Sequence, residues 1–164
     1  MSQYTIPCAV YRGGTSRGLF FHERDLPSSF REQSHIFLNG IDAYNPSQVD
    51  GLGSGTSHTS KVVVIGASDI EGVDVNYTFY QIGIGKEIVD GKGTCGNLMA
   101  AAGAFAVDEG YVEIPEDKVE VKVTIYNTNI NRILNITVPI KKEKQGYQEI
   151  MQCLDLYERG QNTR

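Results

Sequence analysis

The sequence predicts an α+β fold in which a mostly antiparallel sheet curls around one central helix. Two observations carry that prediction. Apolar and polar residues alternate over 73–82 and again over 118–126, and the second stretch meets a turn signal, Asn127-Thr128-Asn129, before returning over 130–139. That is the pattern of strands with one wet face, joined as hairpins. Between them runs LMAAAGAFAV at 98–107, too uniformly small and apolar to be a surface helix. A curled sheet gives such a helix the enclosure it requires.

Taken in order, Tyr4 to Val10 reads as a first strand. It is interrupted by Arg12-Gly13-Gly14-Thr15-Ser16-Arg17-Gly18 and resumes at Leu19-Phe20-Phe21, as in a hairpin. Asp25-Leu26-Pro27-Ser28 announces a helix with Ser28 as N-cap, Phe30, Ile36 and Phe37 as apolar residues, and Asn39-Gly40 as its stop. Residues 41–60 form a polar loop, after which Lys61 to Ile65 is a strand apolar on both faces. Asp90-Gly91-Lys92-Gly93-Thr94-Cys95-Gly96-Asn97 then turns tightly into the central helix. The character changes beyond Ile140. The sequence divides into a domain over 1–140 and a tail over 141–164, helical at 147–158, where Ile150, Met151, Leu154 and Tyr157 share one face.

At 164 residues the chain has room for one ordinary domain with a real core. A net charge of -5 argues against nucleic acid or an acidic membrane surface as partner, though a local cradle can still oppose the global sign. No apolar run reaches membrane-spanning length, and the start lacks a leader pattern. Cys8, Cys95 and Cys153 form neither a disulfide framework nor a zinc pattern, so a reducing, cytoplasmic setting is expected and a metal is not.

Cys95 is the leading candidate for chemistry. At the start of a helix, unpaired N–H groups and the dipole favour an anion, and the same position lowers a thiol's pKa from about 8.5. The competing reading is a small core residue, as expected for Cys8 and Cys153. Lys61 follows a hydroxyl-rich loop, Ser54 to Ser60, and opens a buried strand. There it reads equally as a base or carboxylate partner and as a flanking solubiliser. Arg12 and Arg17 read as a charged turn or a carboxylate clamp. Asp50 and Asp90 read as turn residues, His58 as incidental, and His22 and His35 as having no role.

Three motifs, RGGTSRG at 12–18, DGLGSGTSHTSKVVVI at 50–65 and DGKGTCGN at 90–97, resemble the PrpF family, related to methylitaconate isomerase and 4-oxalomesaconate tautomerase. The resemblance spans about residues 4–140. It implies a diaminopimelate epimerase-like fold of two domains, each a strongly curved sheet or barrel around a central helix, with the active site between them. It also implies cofactor-independent isomerisation of unsaturated di- or tricarboxylates such as 2-methylaconitate, in propionate breakdown. By motif, Lys61 would be the main proton-transferring residue and Cys95 would assist. Ser16, Arg17, the loop residues Ser54, Gly55, Thr56, Ser57 and Ser60, and Gly96 and Asn97 would bind the substrate. Where the family commonly has lysine in the first motif, this chain has Arg17.

Family members are about twice this length, so the resemblance makes this chain the first of two domains. A homodimer or a separate second-half polypeptide is then expected to cover its open side. The alternative is a non-catalytic carboxylate-binding or assembly module derived from such an enzyme. A cysteine-dependent hydrolase ranks last, lacking a histidine partner.

Overall fold

The computed structural model describes residues 5–140. The helix expected at 147–158, and Cys153 with it, lie outside the described residues. Seven strands form a single sheet: β1 (Ala9–Gly13), β2 (Ser16–His22), β3 (Lys61–Ala67), β4 (Val75–Ile82), β5 (Val89–Asp90), β6 (Glu120–Asn127) and β7 (Arg132–Pro139). Helix α1 (Phe30–Ile41) follows β2, and α2 (Gly96–Asp108) follows β5.

The sheet order is β1-β2-β3-β4-β6-β7, with β5 also paired to β4. Pairing is antiparallel except for β2 with β3 and β4 with β6, the two contacts bridged by the longest connections. The sheet is curved into a half-barrel around α2, which touches β1, β2, β3, β4, β6 and β7. Every residue of α2 from Leu98 to Val107 is buried, which is why this segment tolerates no polar face.

The strand patterns follow from two helical layers. On β3, Val63 and Ile65 pack with α2, while Val62 and Val64 pack with Phe37, Leu38 and Ile41 of α1. A strand covered on both sides is apolar throughout. Strand β2 divides likewise, with Phe20 toward α2 and Leu19 and Phe21 toward α1. Strand β6 sends Val121, Val123, Ile125 and the polar Asn127 inward, so it alternates.

Strand β4 serves three partners. Along one edge it pairs with β3; along the other, its end pairs with β5 and its start with β6. The gap between β5 and β6 is filled by a side chain. Asn129 accepts from the Phe79 N–H (2.8 Å) and donates to the Phe79 carbonyl (2.9 Å) and to Gly91 O (2.8 Å). Its carboxamide thus stands in for a missing strand residue.

Three local expectations change. The first hairpin's interruption is only Gly14-Thr15, so most of the 12–18 stretch is strand. The α1 N-cap is Ser29, not Ser28, and makes no side-chain cap bond. Gln33 holds the entry instead, donating from Nε2 to Pro27 O at 2.7 Å. Asn39 and Gly40 stay helical because Asn39 bonds the His35 carbonyl one turn back, and Asp42 ends the helix in the left-handed region (φ 61°).

Candidate functional site

The glycine-rich tip of the first hairpin lies against the start of α2. A Cβ on Gly13 would sit 1.9 Å from the Asn97 carbonyl oxygen, so only glycine permits this approach. Gly14, at φ +50°, is required more by its backbone conformation than by space, and it lies beside the Asn97 side chain, whose Nδ2 donates to Thr15 Oγ1 at 3.1 Å. The motif's glycines therefore serve close packing between β1–β2 and α2.

This packing brings Ser16 to Cys95. Even-numbered residues of β2 face α2, and the Cys95 thiol donates toward Ser16 Oγ at 3.6 Å, with both residues buried. Cys95 is the N-cap of α2 in an extended conformation, and its side chain makes no cap bond. Its carbonyl accepts from Tyr77 OH at 3.2 Å, and burial, with Cys95 as a second cause, pushes the Tyr77 phenol's pKa upward. Its neighbour Thr94 accepts from the fully buried Asn127 at 2.8 Å. The amides of Gly96 and Asn97 are among those with no intrahelical partner. The first turn of α2 carries no acidic side chain to occupy its positive end.

Lys61, the first residue of β3, shares the α2-facing side with Val63 and Ile65. Its amine donates to Gln81 Oε1 at 3.1 Å and lies 5.3 Å from the centre of the Phe79 ring. Among the described residues no carboxylate lies within ion-pairing distance of it. Arg17 leaves the opposite face of β2 from Ser16. Its guanidinium donates to Leu52 O (3.1 Å), and its N–H donates to His58 O (2.9 Å). Ser16 and Arg17, adjacent in sequence, are therefore not brought together.

Loop 48–60 is built on Gln48, which is buried at φ 53°. Its Oε1 accepts from Gly55 N (2.8 Å), and its amide exchanges bonds with Ser60 Oγ. Thr59 Oγ1 gathers Ser54 N, Ser54 Oγ and Thr56 Oγ1. Of the expected substrate contacts in this loop, Ser54, Thr56 and Ser57 are exposed. Ser60 differs: it is fully buried, bonded to Gln48 and Thr56 O, and it shapes the loop from below. Gly55 likewise has its N–H engaged by Gln48.

The remaining candidates separate clearly. Arg12 is an exposed residue near the end of β1 bonded to Gly14 O, and Asp90 accepts from Lys92 N as a turn aspartate does. Asp50 instead donates its N–H to Asp42. Cys8 is exposed, contrary to the packing role expected of it, because it precedes β1 rather than lying within it. His22 is not idle: its Nδ1 lies 2.7 Å from Tyr111 OH and its Nε2 3.0 Å from Glu109 Oε2, at the far end of α2. Gln48, Gln81, Asn127 and Asn129 carry no local signal of a site role: strand register brings in Gln81 and Asn127, and the 48–60 loop and the β6–β7 turn bring in Gln48 and Asn129. Among the described residues, no group of three or more His, Cys, Asp or Glu could hold a metal ion, and no helix is long and apolar enough to cross a membrane.

Comparison with known proteins gives a consistent result. The family described as PrpF protein matches residues 3–152. The chain is 37% identical over 142 residues to 3-methylitaconate isomerase of Eubacterium barkeri, covering 87% of this chain and 37% of that protein. It is 39% identical over 147 residues to 2-methyl-aconitate isomerase of Shewanella oneidensis, covering 84% and 37%. The crystal structure of a methylitaconate-delta-isomerase superposes with a TM-score of 0.79 at 37% identity, over 84% of this chain and 35% of that one. The chain thus spans little more than a third of the length of these relatives.

Proposed function

The chain belongs to the PrpF family, and on that premise we propose that it supplies one wall of a cofactor-independent isomerase site for small unsaturated di- or tricarboxylates. The observation that carries this reading is a shared side of the sheet. The Cys95 thiol, the buried Ser16 hydroxyl, an acid-free helix start and a lysine amine that has no carboxylate partner among the described residues all lie on the α2-facing side. 2-Methylaconitate, 3-methylitaconate and 4-oxalomesaconate are the substrates to try first.

In this reading the Lys61 amine removes an allylic proton. The C–H electrons form a new double bond as the old one shifts, and the substrate's own carboxylate takes up the developing charge. The Gly96 and Asn97 amides oppose that charge. A proton is then returned to the carbon two positions along, either from the Lys61 ammonium or from the Cys95 thiol, and in the second case the ammonium's proton passes back to the thiolate, so atoms and charge balance and both groups are restored. Ser16 orients Cys95. Ser54, Thr56 and Ser57 bind a second carboxylate from the loop, and Arg17 at its margin adds positive charge. The opposite wall comes from a second-half polypeptide or another copy of this chain.

The test is solvent-deuterium exchange and double-bond migration with the three acids, using this chain alone and with a second-half polypeptide. Exchange into the allylic position supports the reading. Absence of both exchange and turnover in either preparation overturns it; acid binding without exchange would indicate a carboxylate-binding module.

A further inference from the structure

We propose that Gln81 is the positioning residue of Lys61: its neutral carboxamide aims the lysine amine and leaves it able both to hold and to release a proton. The inference rests on Lys61 as the proton carrier, but it is read out on the lysine itself.

Gln81 lies directly opposite Lys61 in the β3–β4 register. Its Nε2 donates to Ser60 O at 2.7 Å and to Ser57 O at 3.1 Å. Carbonyl oxygens only accept, so both amide hydrogens are committed there and Oε1 must point away from them. Lys61 Nζ meets Oε1 at 3.1 Å. Turning the amide over would set its oxygen against two carbonyl oxygens and its hydrogens against the amine, so the orientation is fixed. The Phe79 ring bounds the amine with its centre 5.3 Å away, within cation–π range.

The neutrality of the acceptor matters chemically. A carboxylate at this position would pair with the ammonium and favour the protonated lysine. A hydrocarbon would leave the amine unaimed. An amide oxygen accepts an N–H bond from the ammonium and from the free amine alike, as suits a group that takes a proton from one carbon and returns it to another. The same amide ties Lys61 to the carbonyls of Ser57 and Ser60, so a shift of the hydroxyl-rich loop is transmitted to the lysine.

Competitive acetylation with trace acetic anhydride across pH, read by peptide mass spectrometry with exposed Lys122 as internal reference, tests this without turnover. In Gln81→Glu, Lys61 labelling at neutral pH should fall about tenfold relative to Lys122 and its profile should move to higher pH. In Gln81→Leu the profile should move the other way. A Gln81 that only braced the loop, without meeting the amine, would leave the Lys61 profile of both variants unmoved. A common shift, or none, overturns the proposal. In the unaltered chain, the Gln81 side-chain amide resonances should titrate with Lys61, and their failure to do so would overturn it even if both variants were misfolded. Opposed shifts in a chain that shows no isomerisation would support Gln81 and count against the isomerase reading.

Discussion

The two ends of α2 are about 20 Å apart by helical rise, and they treat polar groups in opposite ways. At the C-terminal end, Asp108 and Glu109 sit where the helix dipole disfavours negative charge. Each has a partner: Tyr11 OH donates to Asp108 at 2.7 Å, and His22 meets Glu109 at 3.0 Å while its other ring nitrogen meets Tyr111. Tyr111 also reaches Ile65 O. Each acidic group there has a partner within the fold, and both carboxylates keep an exposed side. At the N-terminal end the helix has no acidic side chain, the thiol has one weak hydroxyl partner, and the nearby lysine is held by a neutral amide. The difference lies in partnering: the acidic groups at one end are already paired with phenol or imidazole, whereas the thiol, amine and helix amides at the other keep bonding capacity for a ligand.

The largest expected effect lies at the open end. Lys61→Ala should lower allylic exchange by about a hundredfold or more, with little change in melting temperature. A variant that retains exchange would remove Lys61 from the chemistry and break the contrast. Next comes Gly13→Ala, whose Cβ would collide with the Asn97 carbonyl. It should cost about 3 kcal/mol in denaturant unfolding, at the upper end for overpacking, and speed alkylation of Cys95 by separating it from Ser16. His22→Ala should cost about 2 kcal/mol by leaving Tyr111 and Glu109 without their partner, while Cys95 alkylation stays unchanged. Should His22→Ala speed that alkylation as Gly13→Ala does, the two ends would not be independent.

The smallest effect sharpens the paired end through pH. Burial, then the bond to Asp108, raises the Tyr11 pKa above its ordinary 10.0. The folded state therefore favours the protonated phenol. Its contribution is complete below pH 10.0 and falls as pH rises beyond that, where the unfolded chain gives up the proton more readily. Tyr11→Phe should cost about 1 kcal/mol at neutral pH and show a shallower loss of stability above pH 10.0 in urea titrations. Some slope should remain, because Tyr77 is shifted in the same direction.

The sequence made the strands of 73–82 and 118–126 legible through their alternation, that of 130–139 through the turn signal before it, and the central helix through its lack of a polar face. The motif trio pointed to the candidate site, because each motif is a continuous stretch. Pairing direction was less legible. Successive hairpins suggested antiparallel neighbours, but β2–β3 and β4–β6 are parallel, joined across connections that hold α1 and α2. Side chains acting across register left no local trace. Gln81 looks like one more polar residue on an alternating strand, and Asn129 like an ordinary turn residue. His22 could not be recognised as paired because its partners lie almost 90 residues away. The glycines of 12–18 were misread as a long turn because close packing and chain reversal favour the same residue type.

The Asn127 and Asn129 bonds also set an order in time. The loop from Gly91 to Cys95 is fastened by residues that follow Cys95 by about 30 positions, which at ~5–20 residues per second means synthesis roughly two to six seconds later. Until that last hairpin emerges, a nascent chain holds its thiol in an unfastened loop, open to oxidants and alkylating agents.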